Sequence, residues 1–193
     1  MFIGKAVFAA LIAITLPAAC ENTRAGRDET TPSGFAVPRY LTLRFGEINA
    51  RAGPSEDHAK LWTYHAQGMP VQVIAETKDW RRICDPEGGI SWVAARMLEG
   101  GDPAVIRMKP GALPVHREAS ERSAVVASLP PRGVAVMEDC QGGWCRIQVG
   151  KARGWAPAAE LWGTDPAPQC AGLAAPVIAG PTTTAPPVAA PAP

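Results

Sequence analysis

The sequence predicts an all-β chain built from two tandem copies of one small unit. Three groups of residues recur along it. Val71-Gln72-Val73 recurs as Val134-Ala135-Val136, Trp80-Arg81-Arg82-Ile83 as Trp144-Cys145-Arg146-Ile147, and 92–98 as 155–161. The spacing between the copies is 63 or 64 residues in each case. Several matches at one spacing indicate an internal repeat of about 60 residues.

Each unit has the pattern of a small β-barrel or sandwich. Short runs rich in Val, Ile, Trp and Arg alternate with Gly, Pro and Asp turns at intervals of roughly 8 to 12 residues. No stretch keeps the 3.6-residue spacing of a capped helix. We therefore assign residues 38–99 to the first repeat and 100–164 to the second, with a hinge at 99–103.

Specific motifs carry a resemblance to a known family. The first unit contains Asn49-Ala-Arg-Ala-Gly-Pro-Ser55, then Gly68 to Glu76, then Trp80-Arg-Arg-Ile83 and Trp92-Val93. The second contains Cys140 to Val149, Gly154-Trp155 and Leu161-Trp-Gly163. These motifs resemble the bacterial SH3-like (SH3b) domain family over roughly two thirds of the chain. The resemblance implies two tandem SH3-like small β-barrels.

The second unit and one loop depart from the family pattern. Arg51 begins an Arg-x-Gly-Pro signature, and its match in the second unit, Arg117, is followed by Glu-Ala-Ser at a spacing of 66. Ser91 precedes Trp92 where the family usually has Gly. These departures concern the shape of loops.

The N-terminus has the organisation of a secretory signal peptide. Lys5 precedes an apolar run, Ala6 to Leu16, and small residues follow before Cys20. The run is short for a membrane span. The sequence predicts a signal peptide over 1–20 and a linker over 21–37, and hence export to the periplasm or cell envelope. Leu16-Pro-Ala-Ala-Cys20 resembles a lipobox in which Pro17 replaces the usual aliphatic residue. Two outcomes stay open: a lipid anchor on Cys20, or ordinary cleavage that leaves a soluble protein.

The C-terminus reads as a disordered tail over 165–193, rich in Pro, Ala and Thr. Eight of the thirty residues from Thr164 to Pro193 are proline. Such a segment buries too little apolar surface to offset the entropy of ordering it. Its deletion is therefore expected to leave the melting temperature unchanged.

Turn geometry predicts a disulfide bond between Cys140 and Cys145. If Gly142-Gly143 is a two-residue turn, Gln141 and Trp144 flank it and the two cysteines are the next pair. The Cα atoms of a non-hydrogen-bonded pair approach to about 4.5 Å, which a disulfide can bridge. This register also predicts that both sulfurs share the core face with Val134, Val136, Ile147 and Val149. Reduced core thiols or a metal-binding pair are the alternatives, and a Cys84–Cys170 bond stays open.

Four exposed side chains are the candidate ligand-binding residues. Strand alternation turns Trp80 and Trp144 away from Ile83 and Ile147, beside Arg82 and Arg146. Indole rings next to arginines suit stacking on a sugar ring or anchoring of a peptide. The alternative is that these rings close the ends of the barrels or hold the repeats together.

The sequence predicts a binding protein with no catalytic residues, cofactor or metal. It contains no phosphate loop, HExxH, GxSxG or paired metal-ligand spacing. Asp85 and Glu87 beside Gly88-Gly89 are typical of a turn. Nineteen basic residues balance eighteen acidic ones, so no basic excess indicates nucleic acid.

Export and the SH3b resemblance together predict a cell-envelope binding or scaffolding protein that engages peptidoglycan or an envelope protein. A lipid on Cys20 would be its only membrane attachment, and the oligomeric state is not predicted. Two alternatives stay open: a targeting subunit for a separate cell-wall hydrolase, and a small periplasmic enzyme.

Overall fold

A computed structural model describes residues 31–101 and 103–170. Within these residues the chain forms thirteen strands and two 3-10 helices, and no α-helix. The strands of the first repeat are β1 (Arg39–Leu43), β2 (Ile48–Arg51), β3 (Lys60–Tyr64), β4 (Pro70–Glu76), β5 (Trp80–Cys84), β6 (Ile90–Ala94) and β7 (Leu98–Glu99). Those of the second are β8 (Ala104–Ile106), β9 (Leu113–His116), β10 (Val125–Leu129), β11 (Val134–Gln141), β12 (Trp144–Val149) and β13 (Ala152–Pro157). The 3-10 helices, Ala95–Met97 and Ala158–Glu160, follow β6 and β13.

The strands form two sheets that carry the same connectivity. The first sheet has the order β3-β2-β6-β5-β4-β1-β7 and the second β10-β9-β13-β12-β11-β8. The prediction of two tandem all-β units is confirmed. None of the helices within the described residues is long and apolar enough to span a membrane. The predicted signal peptide, Cys20 and residues 171–193 lie outside the described residues.

Each repeat closes around its own apolar core. The first core is built from inward side chains of β1 to β7 together with Ile106 of β8, and the second from Val105 of β8 and side chains of β9 to β13. Alternation along the strands puts one apolar face of each sheet inside. Buried members include Leu43, Val71, Val73, Ile83 and Val93 in the first core, and Val105, Val115, Leu129, Cys145 and Ile147 in the second.

The central hairpins of the two repeats superpose in register at a spacing of 64 residues. Val73 pairs with Ile83 in β4 and β5, and Met137 pairs with Ile147 in β11 and β12. The match of Val71-Gln-Val73 to Val134-Ala-Val136 is therefore wrong by one residue. At the spacing of 64, Val71 and Val73 correspond to Ala135 and Met137, whereas the spacing of 63 aligns valines with valines and so favoured the wrong register.

The predicted core face of β11 is wrong for the same reason. Val134 and Val136 are 41% and 37% exposed, whereas Ala135 is buried and Met137 packs on the core. A bulge between Met137 and Asp139 then shifts the pairing by one residue before the strand reaches Cys140. A bulge changes which face the following residues occupy, so alternation cannot be carried across it.

The turn of this hairpin has the predicted register. Gln141 pairs with Trp144 and Cys140 with Cys145. Gly142 and Gly143 have φ of 56° and 80°, the left-handed values that a tight hairpin turn requires. The structure joins Cys140 to Cys145 by a disulfide with the Cα atoms 4.0 Å apart. Cys145 is fully buried, whereas Cys140 at the strand end is exposed.

β8 packs between the two cores and fixes one repeat on the other. Val105 belongs to the second core, whereas the next residue, Ile106, belongs to the first. Ile106 also exchanges backbone hydrogen bonds with Trp162. The indole of Trp162 contacts Tyr40 of β1 edge to face, with ring centroids 5.3 Å apart. Trp162 therefore lies at the junction of the repeats.

The segment 165–170, which we call the strap, departs from the predicted disordered tail. It crosses the outer face of the first sheet and ends in a disulfide between Cys170 and Cys84. Gln72 holds it midway, since its side chain donates to the carbonyl of Ala167 and accepts from the N–H of Gln169, both at 2.8 Å. Composition could not predict this order, because one disulfide and two hydrogen bonds to the buried Gln72 side chain hold a segment that has little apolar surface.

Part of the predicted linker is also ordered. The backbone N–H of Ser33 donates to the carboxylate of Glu76 at 2.8 Å. The same carboxylate pairs with Arg39 at 2.5 Å and Arg81 at 3.1 Å. Glu76 therefore connects the chain before β1 to the hairpin of β4 and β5.

Candidate functional site

The predicted ligand-binding residues occupy two separate places. Trp80 and Arg82 lie on the same face of β5, opposite Ile83, and Trp144 and Arg146 lie likewise on β12. Both tryptophans are half-buried. The structure places each pair on its own repeat, and neither pair lines the cleft between the repeats that is described below.

Trp80 lines a small groove on the first repeat, about 100 Å3 in volume. The groove lies between the chain around β2 and the 3-10 helix after β6. It is bounded by Glu47, Asn49, Arg51, Glu56, Trp80, Ala94, Arg96 and Met97. Arg96 and Glu56 form an exposed ion pair at 3.3 Å across it. Trp80 therefore lies at a groove and stays a predicted ligand-binding residue.

The second repeat has a wider groove in the equivalent place, about 520 Å3 in volume. Arg51 pairs with Trp92, and His116 pairs with Trp155, so His116 takes the position of Arg51. The predicted match of Arg51 to Arg117 is therefore wrong by one residue. His116 contacts the ring of Trp144 edge to face, with centroids 5.8 Å apart. This contact covers one side of Trp144.

Salt bridges occupy much of the polar surface around the second groove. Glu160 pairs with Lys109 at 2.7 Å and with Arg107. Hydrogen bonds from Lys109 and Arg107 lower the pKa of the Glu160 carboxyl below its usual value. On β12, Arg146 pairs with Glu138 at 3.1 Å, and Arg153 approaches the same carboxylate at 3.0 Å. Of the predicted arginines, Arg82 alone makes no ion pair within residues 31–101 and 103–170.

A second open cleft of about 520 Å3 lies between the two repeats. The first repeat contributes β3, the loop after it and the β5–β6 turn, and the second contributes β8 and the β10–β11 turn. Its lining is Trp62, Thr63, Tyr64, His65, Ala66, Met69, Asp85, Pro86, Glu87, Gly89, Ile106, Met108 and Arg132. The floor is apolar, since Trp62, Met69, Ile106 and Met108 pack on the first core. The inter-repeat cleft exists only because the repeats pack together.

One wall of the inter-repeat cleft is a closed polar network around Asp85. The hydroxyl of Tyr64 donates to Asp85 Oδ2 at 2.9 Å. The backbone N–H groups of Glu87 and Gly89 donate to Oδ1 at 3.0 and 2.8 Å. Burial, together with the charge of Asp85, raises the pKa of the Tyr64 hydroxyl far above its usual value. Both Asp85 oxygens already accept hydrogen bonds from the protein.

Two opposite charges face each other across the mouth of the inter-repeat cleft. Glu87 of the β5–β6 turn forms an ion pair with Arg132 of the β10–β11 turn. Their side chains are 59% and 66% exposed, so water screens this pair and it adds little stability. Both groups are therefore accessible to a ligand.

Sequence reasoning missed the inter-repeat cleft, because its walls come from elements far apart in the chain. One local signal was available. Pro130-Pro-Arg-Gly133 is a turn sequence in which a large charged residue precedes the glycine. A metal centre is not indicated, since no group of three or more His, Cys, Asp or Glu side chains gathers in the described part of the chain.

Two solved structures are similar to this chain at low identity. They are NlpC2 and NlpC1 from Trichomonas vaginalis, each 12% identical, with TM-scores of 0.30 and 0.29. The match covers 66% of this chain and 49% and 46% of those chains, so it spans about half their length. No curated protein sequence matches the chain.

The family assignment comes from the sequence itself. A family model described as Bacterial SH3 domain matches twice, over residues 46–100 and 109–163. These ranges cover more than half of the chain and contain every strand of the two sheets except β1 and β8. The chain therefore belongs to the bacterial SH3 domain family and carries two copies of the domain in tandem.

Proposed function

We propose that this protein is a non-catalytic, exported binding module of the bacterial cell envelope, and that it engages peptidoglycan. Family membership supports a role at the cell wall, as bacterial SH3 domains commonly bind cell-wall components. A fold alone does not define a ligand, so the assignment depends on the surface of this chain.

The observation that carries the proposal is the inter-repeat cleft. It is open and wide, it has an indole and apolar side chains on its floor, and it has charged groups at its mouth. Clefts that combine an apolar floor with a few placed polar groups are typical ligand sites. An open cleft between two repeats also suits a short stretch of a polymer, because both ends of the stretch can leave it.

Trp80 with Arg82 and Trp144 with Arg146 form secondary surfaces in this proposal. They lie at equivalent strands of the two repeats, so a long polymer has a second contact on either repeat. Such contacts add avidity when the spacing of the ligand matches that of the sites.

Sedimentation with purified peptidoglycan tests the proposal. The full chain is expected to pellet with the insoluble polymer. Trp62→Leu, which keeps apolar packing and removes the aromatic face, should reduce the bound fraction. Leu61→Ala is the matched control, because Leu61 is exposed on the opposite face of β3. Absence of the wild-type chain from the pellet would refute peptidoglycan binding, and a pulldown from envelope extract would then identify a protein partner.

A further inference from the structure

The charge arrangement at the mouth of the inter-repeat cleft indicates more about the ligand than the size of the cleft does. Glu87 belongs to the first repeat and Arg132 to the second, and the two form an ion pair. Both residues line the inter-repeat cleft, so a ligand in the cleft can contact both charges. The ion pair is exposed, so separating it requires little free energy provided that the ligand replaces both partners.

The backbone at Arg132 provides a second, independent observation. Arg132 has φ of 60°, and it is the only residue other than glycine with a positive φ in the described ranges 31–101 and 103–170. It occupies the third position of a turn closed by the N–H of Gly133 on the carbonyl of Pro130, at 2.9 Å. Glycine or asparagine is favoured at that position, because a Cβ there is strained. Strained residues of this kind concentrate at ligand sites.

The rest of the inter-repeat cleft limits what Arg132 and Glu87 can recognise. The Asp85 oxygens accept three hydrogen bonds from the protein itself, so Asp85 does not offer a site for a ligand cation. Glu87 is then the carboxylate available to an amino group, and Arg132 is the group available to a carboxylate. Between them the floor of Trp62 and Met108 suits small aliphatic side chains. A neutral sugar chain would leave both charges unused.

From these observations we infer that the inter-repeat cleft binds a short peptide that bears a free carboxylate, with Arg132 on the carboxylate and Glu87 on an amino group. The inference rests on the proposed function and commits to the peptide portion of peptidoglycan rather than its glycan strands. Arginine suits this role because its planar guanidinium pairs with a carboxylate through two parallel hydrogen bonds.

Calorimetric titration with two fractions of amidase-digested peptidoglycan tests this inference. The released peptides are expected to bind, and the glycan strands are not. Arg132→Gly should weaken peptide binding by roughly tenfold or more, since it removes a charge-assisted contact. Glycine relieves the positive φ, so the variant should melt no lower than the wild type, and its loss of binding cannot be attributed to unfolding. Arg122→Ala, at an exposed arginine elsewhere on the second repeat, should bind as the wild type does.

A second experiment changes the carboxylate of the ligand instead of the arginine of the protein. Conversion of the peptide carboxylates to amides should weaken wild-type binding by a similar factor and have little further effect on Arg132→Gly. Unchanged binding by Arg132→Gly, equal binding of the amidated peptides, or binding of glycan strands alone would overturn the inference. Equally tight binding of an unrelated L-peptide with a free C-terminus would overturn the commitment to peptidoglycan. If Arg132→Gly binds intact peptidoglycan as the wild type does, only this inference fails; if the wild type does not bind it at all, the proposed function fails.

Discussion

Cys84 on β5 is disulfide-bonded to Cys170 at the end of the strap, with the two Cα atoms 5.9 Å apart. The bond completes a row of contacts that runs across three strands. Tyr40 pairs with Gln72 and Gln72 with Cys84, so these side chains share one face of the first sheet. The Tyr40 hydroxyl donates to the carbonyl of Asp165 at 2.7 Å. The strap therefore follows this row from β1 to β5 and fastens the second repeat to the first.

Truncation after Thr164 should destabilise the protein, contrary to the expectation from composition. It removes the disulfide, which closes a sequence separation of 86 residues, and exposes the buried amide of Gln72. The chain-entropy model gives roughly 4 kcal/mol for a loop of that length. A fall of many degrees in the melting temperature by calorimetry is the expected result.

Truncation after Cys170 is the matched control for the strap. It removes the remaining proline-rich residues and keeps the disulfide and both Gln72 hydrogen bonds. Its melting temperature should equal that of the full chain. Equal melting temperatures for the two truncations would mean that the strap does not hold the repeats together.

The second disulfide should act more weakly and on one repeat. Cys140 and Cys145 are five residues apart, and the chain-entropy model gives about 2 kcal/mol for so short a loop. Replacing both by Val should reduce hydrogen-exchange protection in β12 more than in β5. Glu76 and Arg81 occupy the same register positions in the first repeat, so an ion pair replaces the disulfide there.

Non-reducing peptide mapping is the direct measurement for both cysteine pairs. It should recover Cys140 linked to Cys145 and Cys84 linked to Cys170. A peptide that joins either hairpin cysteine to Cys84 or Cys170 would contradict the hairpin register.

The sequence was sufficient for what depends on local patterns. Repeat spacing and strand alternation predicted two all-β units, and the Gly142-Gly143 pair predicted the turn that brings Cys140 opposite Cys145. The bulge after Met137 escaped prediction because an extra residue in a strand leaves no periodic signal. The strap escaped prediction for another reason. Its order depends on contacts with Gln72 and Cys84, which are distant from it in sequence. Its own composition carries no apolar signal.

The candidate site was less predictable than the fold. Trp80 lines a groove, but the inter-repeat cleft depends on how β8 packs, with Ile106 in the first core and Val105 in the second. A short strand that divides its side chains between two cores looks like any buried strand in sequence. The pairing of Glu87 with Arg132 follows only from that packing.

Glu76 should make stability depend on pH in the acid range. Burial opposes its ionisation, but hydrogen bonds from Ser33 and Arg39 outweigh that effect and lower the pKa of Glu76 to about 2. Because the folded-state pKa lies below the ordinary value of 4.5, the unfolded chain takes up the proton first as the pH falls. The stabilisation is therefore complete above about pH 4.5 and disappears towards pH 2, with a loss on the order of 2 kcal/mol.

Urea denaturation of the wild type and Glu76→Gln between pH 2 and 6 measures this contribution. The variant should be less stable at pH 6 and approach the wild type near pH 2. Parallel curves for the two proteins across this range would show that Glu76 is not the group that titrates.

Export predicts a defined mature N-terminus. The apolar run before Cys20 predicts that the chain isolated from the envelope begins at or shortly after Cys20. Intact-mass measurement should show either a diacyl or triacyl adduct on Cys20 or an unmodified, cleaved chain. Retention of Met1 would contradict export, and a Cys20→Ser variant would distinguish lipidation from ordinary cleavage.

Gly154 should be intolerant of any side chain. A Cβ at this buried position in β13 would lie 2.4 Å from the carbonyl oxygen of His116 and 2.8 Å from side-chain atoms of Val115 and Val126. These neighbours are backbone and packed strand residues, so they cannot move aside easily. Overpacking of this kind typically costs about 1 to 3 kcal/mol, and Gly154→Ala should lower the denaturation midpoint accordingly.

Gly46→Ala is the control, since a Cβ at Gly46 meets nothing within 4 Å and the residue has no positive φ. It should leave the midpoint unchanged or raise it slightly.

In the first repeat, the glycine that the family usually has before Trp92 is not required. Ser91 takes the place of Gly154, because Ile83 pairs with Ser91 as Ile147 pairs with Gly154. Its hydroxyl lies 3.5 Å from the Tyr64 hydroxyl in a polar pocket, so Ser91→Gly should remove a contact rather than relieve a clash. A stabilising Gly154→Ala would contradict the close approach of β13 to β9.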